Sequence, residues 1–189
     1  MIFQITKDIA SSISFWDKLL INAAVLGDLD DLETALTFGA QVTTRKDGWT
    51  PLLGAAQNGH ADVCHLLLSC GSDIEEREVG SENTALHEAA LFGHLSTIEV
   101  LLNWAPEKGE TLVNYKNAAG YTPLTNACQQ KGHHDCVIAL LMAGAVPMQT
   151  NNRSWPTHAA AQHNNLDIVE TLLDYGCGLE LVGYSISPS

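Results

Sequence analysis

The chain repeats itself about every thirty-three residues, and that period restricts what it can fold into. Leu52-Leu53-Gly54-Ala55-Ala56 is followed by Asn58-Gly59-His60 and then by Leu66-Leu67-Leu68. The same order returns at Leu86-His87-Glu88-Ala89-Ala90, Phe92-Gly93-His94 and Val100-Leu101-Leu102. It returns at Leu124 to Ala127, Gly132-His133 and Leu140-Leu141, and again at His158 to Ala161, Asn164-Asn165 and Leu172-Leu173. A degenerate copy opens the series at Ile21-Asn22-Ala23-Ala24, with Gly27 and Leu36. The alanine at the matching place in each copy falls at 23, 55, 89, 127 and 160, so the spacings are 32, 34, 38 and 33 residues. A unit this short cannot bury its own apolar face, so the copies must stack into an array. An array has an extended surface and no central pocket.

Local signals agree. Pro51 follows Thr50, and proline suits a first helical turn because its missing N–H would be unpaired there. Ala55 and Ala56 are small and favour helix, so neighbouring helices approach closely. Gly59, Gly93 and Gly132 supply a left-handed cap, for which Asn164 is the best non-glycine substitute. Leu67-Leu68 and their counterparts form the apolar stripe of a second helix. Gly39, Gly71, Gly144 and Gly176 end that helix, and Ser14-Phe15-Trp16-Asp17 reads as a capping-box start.

These residues resemble the ankyrin repeat, marked by a T-P-L-H-x-A turn, two antiparallel helices and a protruding hairpin. Thr50-Pro51-Leu52 and Thr122-Pro123-Leu124 fit the turn, and Thr84-Ala85-Leu86-His87 lacks only the proline. Trp155-Pro156-Thr157-His158 keeps the proline and the histidine. The resemblance implies an all-α solenoid of helix-turn-helix units joined by hairpins. Its units span approximately 14–44, 45–77, 78–116, 117–151 and 152–180. An extension precedes them at 1–13, and a tail or truncated further hairpin follows at 181–189. Departures are local: extra residues between Trp104 and Thr111, one more near Lys131, and an eroded last hairpin at Gly178 to Leu181. The resemblance further implies a monomeric, non-catalytic protein-recognition module with no cofactor, in which His87 ties adjacent turns together.

Composition narrows the partner. The net charge of −13 argues against nucleic acid, whose binding rests on phosphate neutralisation. No apolar run reaches the length of a membrane span, and the first residues lack a secretory leader, so an intracellular protein, cytoplasmic or nuclear, is expected. Cys64, Cys70, Cys128, Cys136 and Cys177 are odd in number, and Cys64, Cys128 and Cys136 fall at packing positions, as suits a reducing compartment. His87-Glu88 lacks the second histidine of a zinc-binding H-E-x-x-H, because Leu91 stands there. His133-His134-Asp135-Cys136 is the weak alternative, a metal or hydrolytic site, although His133 belongs to the repeating Gly-His turn.

The informative residues are those the array does not need. The family's contact positions lie just before the turn threonine and just after the alanine pair. Carried over, they mark Arg45, Lys46, Asp47, Trp49, Asn83, Tyr121 and Ser154 in the first class, and Val25, Leu26, Gln57, Asn58, Leu91, Phe92, Gln129, Gln130, Gln162 and His163 in the second. Trp49, Leu91, Phe92 and Tyr121 are expected side by side as apolar anchors of a concave strip. Trp104 and Trp155 are expected to plug or cap the array. The acids Asp73, Glu75, Glu76, Glu78 and Glu82 border the strip, which points to a basic protein or peptide partner. An alternative is the substrate-recognition arm of a ubiquitin ligase or other multidomain enzyme.

Overall fold

The computed structural model describes residues 15–104, 109–147 and 156–176. Ser14, Ser154, Trp155, Cys177 and the proposed tail lie outside the described residues. Among the described residues there are helices and no strands, apart from isolated bridges in two hairpins.

The helices come in pairs. A first helix, α1, runs over 15–26, and α2 is Leu29–Thr37. The second pair is α3 (Pro51–Gln57) and α4 (Ala61–Ser69), and the third is α5 (Ala85–Phe92) and α6 (Leu95–Trp104). A short α7 (Gly109–Val113) occupies the enlarged connection. Then come α8 (Pro123–Cys128) with α9 (His134–Met142), and α10 (Pro156–Gln162) with α11 (Leu166–Asp174). The first helices α3, α5, α8 and α10 pack in one row; the second helices α2, α4, α6, α9 and α11 pack in another. The two rows enclose one continuous core.

Each pair starts the same way for the same reason. Thr50, Thr84 and Thr122 have extended backbone, and each hydroxyl accepts the N–H three residues on, at 3.4, 3.4 and 3.3 Å. This satisfies a helix-start donor that no carbonyl can reach. Gly93 has φ +77, and a Cβ there would lie 2.3 Å from His133 of the next pair. The glycine therefore serves both the left-handed cap and the stacking distance. Asn164 fills the equivalent place in the last pair at φ 57, as its chemistry permits.

The alanines interlock the first-helix row. Ala55, Ala56, Ala89, Ala90, Ala127 and Ala160 are all fully buried. The stripe of the second helices, Leu67, Leu101, Leu140 and Leu172, is buried to within 1 %.

Candidate functional site

Between pairs the chain makes hairpins that stand against the first-helix row. In the first, Lys46 and Trp49 exchange both backbone hydrogen bonds at 2.9 Å. Asp47 and Gly48 between them have φ 53 and 88, the two positive values of a type I′ turn. This turn places Trp49 half-buried against the core and leaves Asp47 exposed.

Trp49 thereby forms one wall of a hollow of about 430 Å³. Lys46 and Asp47 share that wall, and Ile21, Val25 and Leu26 of α1 face it. Leu26 is 75 % exposed and Val25 39 %, while Ile21 is buried. A second hollow of about 300 Å³ is lined by Leu91 and Phe92 at the end of α5 and by Gln130 and His133. Phe92 is 48 % exposed, with its ring stacked at 6.4 Å on His94. The expected single strip is thus two separate apolar hollows, one around Trp49 and one around Phe92. Tyr121 lines neither; it is half-buried and contributes its carbonyl to His87 at 3.0 Å. Asn58 is exposed and donates to the Gly54 carbonyl at 2.8 Å, and Gln129 is half-buried at the end of α8.

Asn83 corrects the expectation. It is only 7 % exposed, and its amide is used inside the array. It donates to Glu88 at 2.8 Å and accepts from Asn117 at 2.8 Å. Glu88 also receives a long 3.5 Å contact from Gln57, so a polar network joins three consecutive pairs. Sequence reasoning weighed Glu88 only beside His87 as part of an incomplete zinc motif, and the same register holds Gly54 and Asn126 in adjacent copies, so its place in a network carried no signal.

Burial pushes the Glu88 carboxyl above the ordinary range, and Asn83 and Gln57 pull it back. A carboxyl raised in the native state binds protons the unfolded chain has released. Stability therefore falls as pH rises from the ordinary carboxylate value through the raised one. Glu88→Gln is expected to raise the melting temperature at pH 8 by a few degrees, with the gap closing near about pH 4. Thermal melts of both proteins across that range check it; a lower melting point for the variant at pH 8 would show that the ionised carboxylate is the better network partner.

The hairpin acids are engaged at home. Glu76 pairs with Arg45 at 3.4 Å, and Glu82 with Arg77 at 3.4 Å. Glu78 accepts from the N–H of Gly80 and from the N–H and hydroxyl of Ser81. These bonds hold its carboxyl below the usual range, led by the Ser81 N–H. Asp73 accepts the Glu75 N–H at 2.9 Å, and Glu75 has a further partner of its own. The guanidiniums also cross from hairpin to hairpin: Arg45 donates to the Arg77 carbonyl and Arg77 to the Lys116 carbonyl, at 3.0 and 3.1 Å. Five carboxylates in the sequence do not make a free acidic fingertip.

The His133–Cys136 cluster is not brought together. His133 lies over Gly93, His134 bonds Thr171 at 2.7 Å, and Cys136 is buried with its thiol pushed up to about 11, chiefly by burial. Cys64 is likewise pushed up to about 12, so neither thiol is poised as a nucleophile. Among the described residues no three His, Cys, Asp or Glu side chains group to hold a metal, and no helix is long and apolar enough to cross a membrane. Trp104, at the end of α6, packs edge-on against His65 of α4 at 5.4 Å and is 38 % exposed.

The family model for ankyrin repeats in three copies matches residues 20–111 and 107–182. The chain is 33 % identical over 155 residues to the ankyrin repeat and KH domain-containing protein mask-1 of Caenorhabditis elegans, covering 80 % of the chain and 6 % of that protein. It is 26 % identical over 133 residues to the target of rapamycin complex 2 subunit AVO2 of Saccharomyces cerevisiae, covering 69 % of the chain and 30 % of that subunit. It is 32 % identical over 93 residues to ankyrin repeat and SOCS box protein 5 of Oryctolagus cuniculus, covering 49 % and 26 %. The chain spans less than a third of the length of each of these relatives.

Proposed function

The chain belongs to the ankyrin-repeat family, and on that footing we propose that it is a non-catalytic module that recognises a partner protein or peptide. The supporting observation is a pair of apolar hollows along the first-helix row, one where α1 meets the Lys46–Trp49 hairpin and one at the turns that follow α5 and α8. The stack does not require Leu26 or Phe92 to be large and exposed, yet both line hollows able to seat a side chain. The contact set then comprises Trp49, Leu91 and Phe92, joined by Val25 and Leu26, with Asp47, Asn58, Tyr121 and Gln129 at its margins. The case for a basic partner weakens, because it rested on Glu75, Glu76 and neighbours that now have partners within the chain. The relatives' names favour a second reading of the same module, as the recognition arm of a larger assembly. They join such repeats to a KH domain or a SOCS box, or place them in a complex.

Partner capture with the full chain tests the assignment. Removing an anchor from the centre of an interface typically costs about 2 kcal/mol or more of binding. Leu26→Asp and Phe92→Asp are each expected to release the partner while the melting point stays within a few degrees, since both side chains are largely exposed already. Met142→Asp, on the second-helix row and 77 % exposed, is expected to retain it. The opposite pattern, loss with Met142 and retention with Leu26 and Phe92, would move the interface to the second-helix face.

A further inference from the structure

We propose that residues 177–186 of this chain seat as a short hairpin on the outer face of α10 and α11 and close the array there. The inference stands on the stacking of the pairs and does not need the recognition reading above.

The last pair exposes positions that the earlier pairs bury. The second residue of the alanine pair is Ala24, Ala56, Ala90 and then Cys128, all fully buried, whereas Ala161 is exposed. Two residues before the marker alanine stand Ile21, Leu53, His87 and Thr125, all buried, whereas His158 is exposed. In the second helices Leu32, Cys64, Ile98 and Val137 are fully buried, and Val169 in the same register is half-buried. Leu68 and Leu141 are buried, and Leu173 in their place is 38 % exposed. These differences share one cause. α5 packs on α3, α8 on α5 and α10 on α8, and the second helices follow one another likewise. Among the described residues no further pair packs on α10 and α11. The end unit of a stack leaves its apolar face in water unless something covers it.

The backbone leads the chain toward that face. Gly176 leaves α11 as Gly39, Gly71 and Gly144 leave α2, α4 and α9. Its φ is +83 against +89, +94 and +89, and each of the four N–H groups bonds the carbonyl three residues back at 3.0 Å. After the three earlier glycines the next residue is buried, as Ala40, Ser72 and Ala145, and Val42 or Ile74 then packs on the core. The sequence after Gly176 repeats that order as Cys177-Gly178-Leu179. The hairpin end repeats too: Gly48-Trp49-Thr50 and Gly120-Tyr121-Thr122 return as Gly183-Tyr184-Ser185. Tyr184 follows Gly176 by eight residues where Trp49 follows Gly39 by ten, so the last hairpin is the shorter. A contact awaits it. His87 gives its Nε2 proton to the Tyr121 carbonyl of the next hairpin at 3.0 Å. His158, at the same place in α10, turns instead to Gln162 of its own helix at 3.0 Å, and the Tyr184 carbonyl is the counterpart of Tyr121. Charge also favours this occupant. The same face of a second copy would set Asp167, Glu170 and Asp174 against their own kind, whereas residues 177–189 bring Glu180 as their one charged side chain.

Nuclear Overhauser contacts in the isotopically labelled full chain test the proposal directly. Leu179 and Tyr184 are expected to show contacts to His158 and Leu173 that persist on dilution. Leu179→Asp, in the full chain, is expected to abolish them and to speed amide exchange in α11 by about tenfold or more, with α3 and α4 unchanged. Glu180→Gln in the same segment is expected to leave both readings as they are. If the unaltered chain shows no contact between residues 177–186 and α10 or α11, the proposal is overturned. Contacts seen only between differently labelled copies would also overturn it and assign the face to a second molecule. Unchanged exchange of α11 in Leu179→Asp would overturn it as well.

Discussion

Leu101→Ala should lower the stability of the whole array by about 2–5 kcal/mol, the usual range for truncating a buried leucine. Leu101 is 1 % exposed in the middle of α6, which packs on α5 within its own pair and on α4 and α9 to either side. The cavity therefore opens at the meeting point of three consecutive pairs. A chain of this length shifts its midpoint by about 2–4 °C per kcal/mol, so the melt should fall by roughly 5–20 °C. Stability in a stacked array is a sum of unit terms and neighbour terms, so weakening the central unit also uncouples the two ends. The transition should then broaden or split as well as shift. Met142→Ala, an equally apolar truncation at an exposed site on the second-helix row, should leave the melt within about 1 °C. Equal effects at the two positions would mean that the second-helix stripe is not the core.

The fold was legible because each repeat states it in short-range chemistry. Threonine before proline, the alanine pair and a glycine or asparagine at the left-handed position all act within one turn of chain, and Asn164 at φ 57 shows how literal that signal is. The site was legible only in part, because it depends on contacts between copies. Trp49 and Phe92 stood out because the repeat pattern does not call for an aromatic there, although Trp49 also packs half-buried against the core. Trp49 reaches α1 of the preceding pair from its hairpin, whereas Phe92 meets the turn after α8 of the following pair, and no single copy of the motif encodes either contact. Leu26 and Val25 were marked by position, and only the structure sets Lys46 and Trp49 across a hollow from them. Asn83 was misjudged for a related reason. Its position is outward-looking by pattern, but Glu88 one turn on needs a donor and draws the amide inward. The hairpin acids failed as a charge signal because composition counts carboxylates and cannot count the guanidinium and backbone donors that meet them.

His87 should stay neutral well into the acid range and make the array acid-sensitive. The ring is fully buried, and burial, with a smaller contribution from Arg77, brings its pKa down to about 4, although the Tyr121 carbonyl pulls the other way. The hydrogen bonds give the same answer independently. The Thr84 N–H points at Nδ1 at 3.3 Å and the Thr84 hydroxyl lies 2.8 Å from it, so Nδ1 is the acceptor and Nε2 carries the proton toward the Tyr121 carbonyl at 3.0 Å. A second proton on Nδ1 would face the Thr84 N–H head on and open the capping box of α5. The unfolded chain, by contrast, takes up that proton near the ordinary histidine value of about 6.5. With the folded value below the unfolded one, the contribution of His87 is fully present above about pH 6.5 and is lost as pH falls toward 4. At 1.36 kcal/mol per pKa unit the loss amounts to about 3 kcal/mol. Urea unfolding should therefore show a steep decline between pH 6.5 and 4. In His87→Gln that decline should be shallower, on a lower starting stability at pH 7 because the tie to Tyr121 is weakened. Nuclear magnetic resonance titration of the imidazoles in the folded chain gives the direct reading. The His87 ring should hold its neutral signature, with the proton on Nε2, down to about pH 4 or until the chain unfolds. A His87 resonance that titrates near pH 6.5 in the folded protein would show that the ring is open to solvent and that the turn is not locked as described.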